Sequence, residues 1–212
     1  MNLLPVPRAM VMGAGYYSLT EGKLICLNPA DVKGLRFTAV RFQEKLKKET
    51  GIGGQISAGW ALPMAEMGLV MLIDPVKVPQ GGGYRLSITP SMIQIVGNDA
   101  AGVFYGVCTL NQLIEQAQDH NLACMEVSDW PDFAARGVML DISRDKVYRM
   151  ETLYELIDRL ASWKVNQVQL YTEHTFAYRN HAEVWAKASP VTGEEILALD
   201  AFCRERFIEL VP

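Results

Sequence analysis

In the first 130 residues, apolar positions switch repeatedly between a spacing of two and spacings of three and four. The first spacing is typical of half-buried strands and the second of one face of a helix. From Asp31, the helical spacing predicts an amphipathic helix that Asp31 caps and that ends before Gly51. Asn98 and Asp99 are good capping residues for a second helix. Strands are predicted at 9–12, 23–27, 55–62, 68–73, 84–89, 92–96 and 122–127.

Turn-forming residues divide these predicted strands. Gly13-Ala14-Gly15 predicts a turn after the first strand and lacks the rest of a dinucleotide-binding fingerprint. Pro90-Ser91 predicts an antiparallel hairpin between its two neighbouring strands. The region is therefore expected to form an antiparallel-rich sheet with two helices.

The pattern changes after Asp129-Trp130-Pro131-Asp132. Nearly continuous apolar strands are predicted at 137–143, 166–171 and 208–212, and helices are predicted between them. Thr192 and Glu195 have the spacing of a capping box at the start of the last helix. Strands that alternate with helices indicate parallel βα units, which fit either a doubly wound sheet or an opening barrel.

Composition and charge exclude several classes of function. The 212 residues are 50% hydrophobic and carry a net charge of −4, so no nucleic-acid partner is indicated. No apolar run is long enough for a membrane span and no export signal is present, which leaves the cellular compartment open. The four cysteines lie in apolar segments without a paired motif, so we expect buried free thiols rather than a metal site or a disulfide framework, and no cofactor is expected.

Two sequence stretches carry a resemblance to a known family. The segment 95–106, Ile-Val-Gly-Asn-Asp-Ala-Ala-Gly-Val-Phe-Tyr-Gly, resembles a helix start in the accessory domain that precedes the barrel of glycoside hydrolase family 20. The segment 129–144 is similar to the first barrel strand of that family, with its D-x-P-R-F and R-G-x-x-L-D-x-x-R pattern. Asp132 departs from the pattern, since an arginine is usual there.

The resemblance implies an α/β chain with two domains. Residues 1–130 would be the α+β accessory domain, and residues 131–212 the first βα units of an incomplete TIM (β/α)8 barrel. The family implies a β-N-acetylhexosaminidase that removes terminal N-acetylhexosamine from glycans. In its substrate-assisted, retaining mechanism the sugar's own acetamido oxygen attacks the anomeric carbon. The family's catalytic Asp-Glu pair follows the fourth barrel strand, whereas the 212 residues reach only the third predicted strand. No catalytic residue is therefore assigned, and this chain is expected to be inactive alone.

Residues at the ends of the first two barrel strands are the candidate binding residues. By resemblance, Arg144 would hold ring hydroxyls of the terminal N-acetylhexosamine, because groups at the C-terminal ends of barrel strands face the active site. His174 is the second candidate for substrate binding. Asp141, expected in mid-strand with a buried partner, and Glu173 are given structural or supporting roles. Tyr171 and Tyr178 are weaker candidates.

Other interpretations stay open at this stage. One is a related glycosidase, either O-GlcNAcase-like or α-glucuronidase-like, and another is a non-catalytic sugar-binding or interaction module. An incomplete barrel also predicts self-association, because its core would lack neighbours. That expectation concerns the strand residues Val138, Leu140, Val168 and Leu170.

Overall fold

The computed structural model describes residues 2–59, 63–144 and 146–211. The chain divides into two compact units, Met1–Asp132 and Phe133–Pro212. Each unit is a sheet with helices packed on it, so the fold is mixed α/β.

The first unit contains a seven-stranded sheet and two long helices. Its predicted strand at 55–62 is observed over 55–58, and residues 60–62 lie outside the described part of the chain. The elements are β1 (Ala9–Ser18), β2 (Leu24–Leu27), α1 (Val32–Thr50), β3 (Gln55–Ala58), a 3₁₀ turn (Met64–Glu66), β4 (Met67–Ile73), β5 (Tyr84–Ile88), β6 (Ile93–Gly97), α2 (Ala100–Glu115) and β7 (Asn121–Asp129).

The sheet is mixed, which corrects the expectation of an antiparallel-rich sheet. Its strand order is β1-β7-β5-β6-β4-β2-β3. The pairs β1–β7, β7–β5 and β5–β6 are antiparallel, and β5–β6 is the predicted hairpin. The pairs β6–β4, β4–β2 and β2–β3 are parallel, and α1 is the crossover that connects the parallel neighbours β2 and β3.

Strand β1 is longer than predicted, because the expected turn at Gly13–Gly15 is a bulge within the strand. The pairing with β7 shifts register between Met12 and Tyr16, so extra residues of β1 face Cys124. A Cβ at Gly13 would lie 3.3 Å from the Cβ of Cys124, and Gly15 has a φ of +88°. Glycine therefore permits a bulge here where the sequence pattern suggested a chain reversal.

Helix capping agrees with prediction at α2 and differs at α1. The Asp99 carboxylate accepts a hydrogen bond from the Gly102 amide at 2.7 Å and caps α2 as predicted. Asp31 stands at the start of α1 but makes no side-chain cap. Its carboxylate accepts hydrogen bonds from the Asn28 amide group and the Ile73 backbone amide instead, both at 2.9 Å. Asp31 thus ties the end of β4 to the helix start.

Segment 95–106, which carries the first family resemblance, contains two glycines at which α2 packs very closely against its neighbours. A Cβ at Gly102 would lie 2.1 Å from the carbonyl oxygen of Gly83, and one at Gly106 would lie 2.7 Å from the Ile95 side chain. Asp99 also accepts a hydrogen bond from the Gly82 amide at 2.9 Å, which fixes the glycine-rich loop before β5. These glycines are needed for close approach rather than for ligand binding.

A buried polar network joins β5, α2 and β7. The Tyr84 hydroxyl hydrogen-bonds Thr109 Oγ1 at 2.6 Å and donates to Asp129 at 3.2 Å. Tyr84 is almost fully buried, and burial, followed by the nearby charge of Asp129, raises the pKa of its hydroxyl well above the ordinary value. Asp129, the first residue of the second resemblance segment, therefore has a structural role.

The second unit is a three-stranded parallel sheet covered by helices. Its strands are β8 (Gly137–Asp141), β9 (Gln167–Tyr171) and β10 (Glu209–Val211), in the order β10-β9-β8. The predicted parallel βα units are thus present, and Pro212, at the end of the predicted third strand, lies outside the described residues. The helices are α3 (Met150–Ser162), α4 (Ala182–Trp185) and α5 (Gly193–Glu205), of which the short α4 was not predicted.

One face of this sheet was predicted to lack packing partners. In the structure, that face is buried at β9 and half-buried at β8. Val168 and Leu170 of β9 are 0% and 1% exposed, so the expectation that they would be unpartnered is wrong, whereas Val138 and Leu140 of β8 are only half-buried. The two long helices bury their own apolar faces in the same unit, through Leu153 and Ile157 of α3 and Leu199 of α5. The opposite face of the sheet is the open one, with Met139 60% exposed.

Candidate functional site

The candidate residues gather at the C-terminal edge of the sheet in the second unit. Strands β8 and β9 end in Asp141 and Tyr171, which are paired in register. The Ile142 amide donates to the Tyr171 carbonyl at 3.1 Å and extends the pairing by one residue. Because the strands are parallel, the loops that follow both of them begin at the same edge.

Asp141 is the last residue of β8 and not a mid-strand residue as expected. Its Oδ1 accepts hydrogen bonds from the Ser143 amide at 2.9 Å, the Ser143 hydroxyl at 2.7 Å and the Arg144 amide at 3.3 Å. The hydrogen bonds from Ser143, with the smaller effect of Arg144, hold the pKa of the Asp141 carboxyl below its usual value. Asp141 is therefore a charged group that shapes the turn carrying Arg144.

Arg144 lies between two carboxylates. Its Nη1 is 3.4 Å from Asp141 Oδ2, and its Nη2 is 3.5 Å from Glu173 Oε1. The guanidinium carbon lies 5.8 Å from the centre of the Tyr171 ring. The side chain is 68% exposed, so its remaining N–H donors are accessible to a ligand.

Glu173 and Tyr171 are joined by a direct hydrogen bond. The Tyr171 hydroxyl donates to Glu173 Oε1 at 2.9 Å. This hydrogen bond to the carboxylate, followed by the negative charge of Glu173, raises the pKa of the Tyr171 hydroxyl. Arg144, Asp141, Glu173 and Tyr171 thus form one cluster, hereafter the Arg144 cluster.

His174 and Tyr178 do not join this cluster. His174 is exposed, and within the described ranges no hydrogen bond or ion pair of its side chain is found. The Tyr178 ring packs edge-on against Phe176 at 5.0 Å, and its carbonyl accepts a hydrogen bond from the Trp185 indole at 2.9 Å. Tyr178 therefore orders the long loop between β9 and α5.

The other charged residues considered in the sequence have structural contacts. Arg136, before β8, donates to the Lys164 and Phe133 carbonyls, both at 2.9 Å, and so fixes the N-terminal edge of the sheet. Glu195 completes the predicted capping box, because its carboxylate accepts from the Thr192 amide at 2.8 Å while Thr192 Oγ1 accepts from the Glu195 amide.

The described residues hold neither a metal-binding cluster nor a membrane-spanning helix. Within residues 2–59, 63–144 and 146–211, no group of three histidine, cysteine, aspartate or glutamate residues is placed to hold a metal ion. No described helix is both long and apolar enough to cross a membrane. The four cysteines are free and buried, as predicted.

Two contributors to the Arg144 cluster were missed or undervalued in the sequence. Ser143 is buried and supplies two of the hydrogen bonds to Asp141. An aspartate two residues before a serine at a strand end is a recognisable signal for such a turn. Tyr171 has no comparable signal, because its hydroxyl contact depends on the rotamer of Glu173.

The chain matches a family model over most of the first unit. The model described as glycosyl hydrolase family 20, domain 2, matches residues 1–130. A β-hexosaminidase of Vibrio vulnificus is 30% identical over 173 residues, which cover 80% of this chain and 18% of that protein.

Solved structures match nearly the whole chain. The chitobiase of Flavobacterium johnsoniae superposes with a TM-score of 0.83 at 25% identity, covering 99% of this chain and 34% of that one. A β-hexosaminidase variant of Streptomyces plicatus, in complex with its product GlcNAc, has a TM-score of 0.81 at 24% identity and covers 99% and 45%. The chain therefore spans less than half the length of each of these proteins.

Proposed function

The chain belongs to glycosyl hydrolase family 20, and from this membership we propose that it contributes the accessory domain and a sugar-binding edge to a β-N-acetylhexosaminidase-like glycosidase. The proposed activity is the removal of terminal N-acetylhexosamine from glycans. Residues 1–130 are the accessory domain in this proposal, and residues 131–212 are the opening βα units of a (β/α)8 barrel. The parallel order β10-β9-β8 supports the second assignment.

The observation that carries the proposal is the position of Arg144. It follows the C-terminal end of the first strand of the parallel sheet, which is the edge where barrel enzymes bind substrate. Its planar guanidinium contacts Asp141 and Glu173, and N–H donors remain exposed. A fixed fork of donors suits adjacent hydroxyls of a sugar ring.

The charge of the Arg144 cluster favours a neutral sugar. One guanidinium stands beside two carboxylates, so the positive charge that would attract an acidic sugar is already neutralised. This favours an N-acetylhexosamine over the uronic acid that an α-glucuronidase-like enzyme would recognise. We assign no bond-breaking role to Asp141 or Glu173, because both carboxylates face Arg144. His174 is the second proposed binding residue, since it follows Glu173 at the same edge and is exposed.

Replacing Arg144 by methionine tests the proposal. Charge-assisted hydrogen bonds to a sugar are worth roughly 1.5 to 3 kcal/mol, so we expect GlcNAc affinity to fall about tenfold or more. The measurement is an NMR titration of the 212-residue chain with GlcNAc. Arg204→Met is the matched control, because Arg204 is also exposed and paired with a carboxylate, Asp200 at 2.7 Å, but lies at the far end of α5.

The same titration separates the competing interpretations. Stronger binding of glucuronate than of GlcNAc at Arg144 would favour the α-glucuronidase-like alternative. Shifts confined to residues 2–130 would favour a sugar-binding module instead. If Arg144→Met leaves GlcNAc affinity unchanged, the proposed site is wrong.

We also propose that the 212-residue chain self-associates. The proposed interface is the open face of the sheet and not the face predicted from the sequence. Met139 and Tyr171 are exposed on the open face of the sheet, and β10 is an outer strand of this sheet in the described part of the chain, so its outward-facing backbone groups can pair with another strand. We expect light scattering to detect dimers at micromolar concentration and Met139→Glu to reduce them. Leu197→Glu is the control, since Leu197 is 70% exposed on α5. A monomer at all concentrations would exclude this association.

A further inference from the structure

We propose that Tyr171 is a positioning residue for Arg144, acting through the hydrogen bond between its hydroxyl and Glu173. This inference rests on the proposed function, in which Arg144 binds the sugar. It adds a residue, and a way of holding the guanidinium, that the resemblance to the family does not supply.

The hydroxyl of Tyr171 and the guanidinium of Arg144 meet at the same oxygen atom. Glu173 Oε1 accepts from the Tyr171 hydroxyl at 2.9 Å and lies 3.5 Å from Arg144 Nη2. The Tyr171 hydrogen bond is thus the shorter and better defined of the two contacts. The orientation of the Glu173 carboxylate is therefore set by Tyr171, and Arg144 pairs with a carboxylate that is already placed.

Glu173 needs such a constraint because it is exposed. Its side chain is 45% exposed and that of Arg144 is 68% exposed. An ion pair between two long, exposed side chains is weak, because water screens the charges and both chains must lose rotamer freedom. Without another contact, Glu173 would spend much of its time away from Arg144.

Tyr171 can supply the constraint because its own backbone is fixed. It ends β9, is paired in register with Asp141, and its carbonyl accepts a hydrogen bond from the Ile142 amide. A tyrosine side chain has only two rotatable torsions, so anchoring its backbone also restricts its hydroxyl. Its ring also lies beside the guanidinium, 5.8 Å from centre to carbon.

The Arg144 guanidinium is contacted from the ends of both β8 and β9. Asp141, at the end of β8, contacts Nη1, and Glu173, held by Tyr171 at the end of β9, contacts Nη2. The guanidinium plane is then set by two fixed points, and its remaining donors point in a defined direction. A site that orients its donors before binding loses less freedom when the sugar arrives.

The test measures the order of the Arg144 side chain and sugar affinity in the same chain. Tyr171→Phe removes only the hydroxyl, Glu173→Gln removes the carboxylate charge, and Tyr178→Phe is the control outside the Arg144 cluster. We expect the heteronuclear NOE of the Arg144 Nε–H group to fall in Tyr171→Phe and in Glu173→Gln, and to stay unchanged in Tyr178→Phe. Combining the two variants should lower it no further. GlcNAc affinity should fall about fivefold in Tyr171→Phe, the size expected from losing a pair of this kind.

A second readout follows the hydroxyl directly. Glu173 and Asp141 raise the pKa of Tyr171 and Arg144 lowers it, with the hydrogen bond to Glu173 the largest effect. A carbon-13 titration of the Tyr171 ring should therefore show a pKa above the ordinary value, which falls back in Glu173→Gln.

The outcomes separate this inference from the proposed function. Unchanged order of Arg144 in Tyr171→Phe, or independent and additive effects of the two variants, would overturn the positioning role. If the order of Arg144 falls while Arg144→Met leaves GlcNAc binding intact, the contact is correct and the sugar site is wrong. An unfolded variant is recognised by its amide spectrum, and Tyr171→Trp, which also lacks the hydroxyl, then replaces it in the test.

Discussion

Replacing Gly102 by alanine should destabilise the first unit by about 3 kcal/mol or more, a large effect for a single methyl group. The new Cβ would lie 2.1 Å from the Gly83 carbonyl oxygen, well inside any van der Waals contact. Because the obstructing atom is backbone, no rotamer change relieves the clash. Relief requires moving α2 away from the loop before β5, which would break the hydrogen bond that the Gly82 amide donates to Asp99 at the helix start.

Thermal unfolding measures this effect, with Gly34→Ala as the matched control. Gly34 is also in a helix of the first unit, but a Cβ there would meet only the Ala100 Cβ at 3.6 Å, an ordinary contact. We expect Gly34→Ala to leave Tm unchanged or to raise it, since alanine is favoured over glycine by roughly 1 kcal/mol in a helix. Equal stability of the two variants would show that α2 packs less closely than described.

Replacing Leu170 by aspartate should unfold the second unit, because it places an unpaired charge in the core. Leu170 is 1% exposed, and an uncompensated buried charge costs about 3 to 5 kcal/mol. Amide hydrogen exchange should then lose protection over residues 133–211. The first unit serves as an internal reference in the same measurement.

The neighbouring residue provides the control for this experiment. Gln169 precedes Leu170 on β9 and is exposed on the opposite face of the sheet. Gln169→Asp should change the free energy of unfolding by no more than about 0.5 kcal/mol, as is usual at the surface. A result in which Gln169→Asp unfolds the unit and Leu170→Asp does not would reverse the assignment of the two faces.

The Arg144 cluster shows what the sequence determines at a site. Arg144 and Glu173 could be placed together in advance, because parallel strands bring their C-terminal ends to one edge, whereas Asp141 was expected in mid-strand and is the last residue of β8. The same argument placed His174 there, but proximity along the chain does not determine which way a loop side chain points. The hydroxyl of Tyr171 could not be anticipated, because its contact depends on the rotamers of two exposed residues.

The sheet of the first unit shows the same division between local and distant interactions. The β5–β6 hairpin and the Asp99 cap follow from residues a few positions apart, and both are observed as predicted. The parallel pairings of β2 with β4 and of β4 with β6 join strands that are not consecutive along the chain, so alternation along one strand does not encode them. Asp31 illustrates this directly, since its carboxylate bonds Ile73 of a distant strand instead of its own helix.

The pairing of β1 with β7 has a consequence for synthesis on the ribosome. Ser18 hydrogen-bonds Asn121 across a separation of 103 residues, so β1 emerges long before its only paired strand among the described residues. At about 5 to 20 residues per second, translation of that interval takes roughly 5 to 20 seconds. During that time, β1, which contains Met10, Val11 and Met12, cannot pair with β7. The nascent chain thus has a window in which β1 is available to a chaperone or to another unfinished chain.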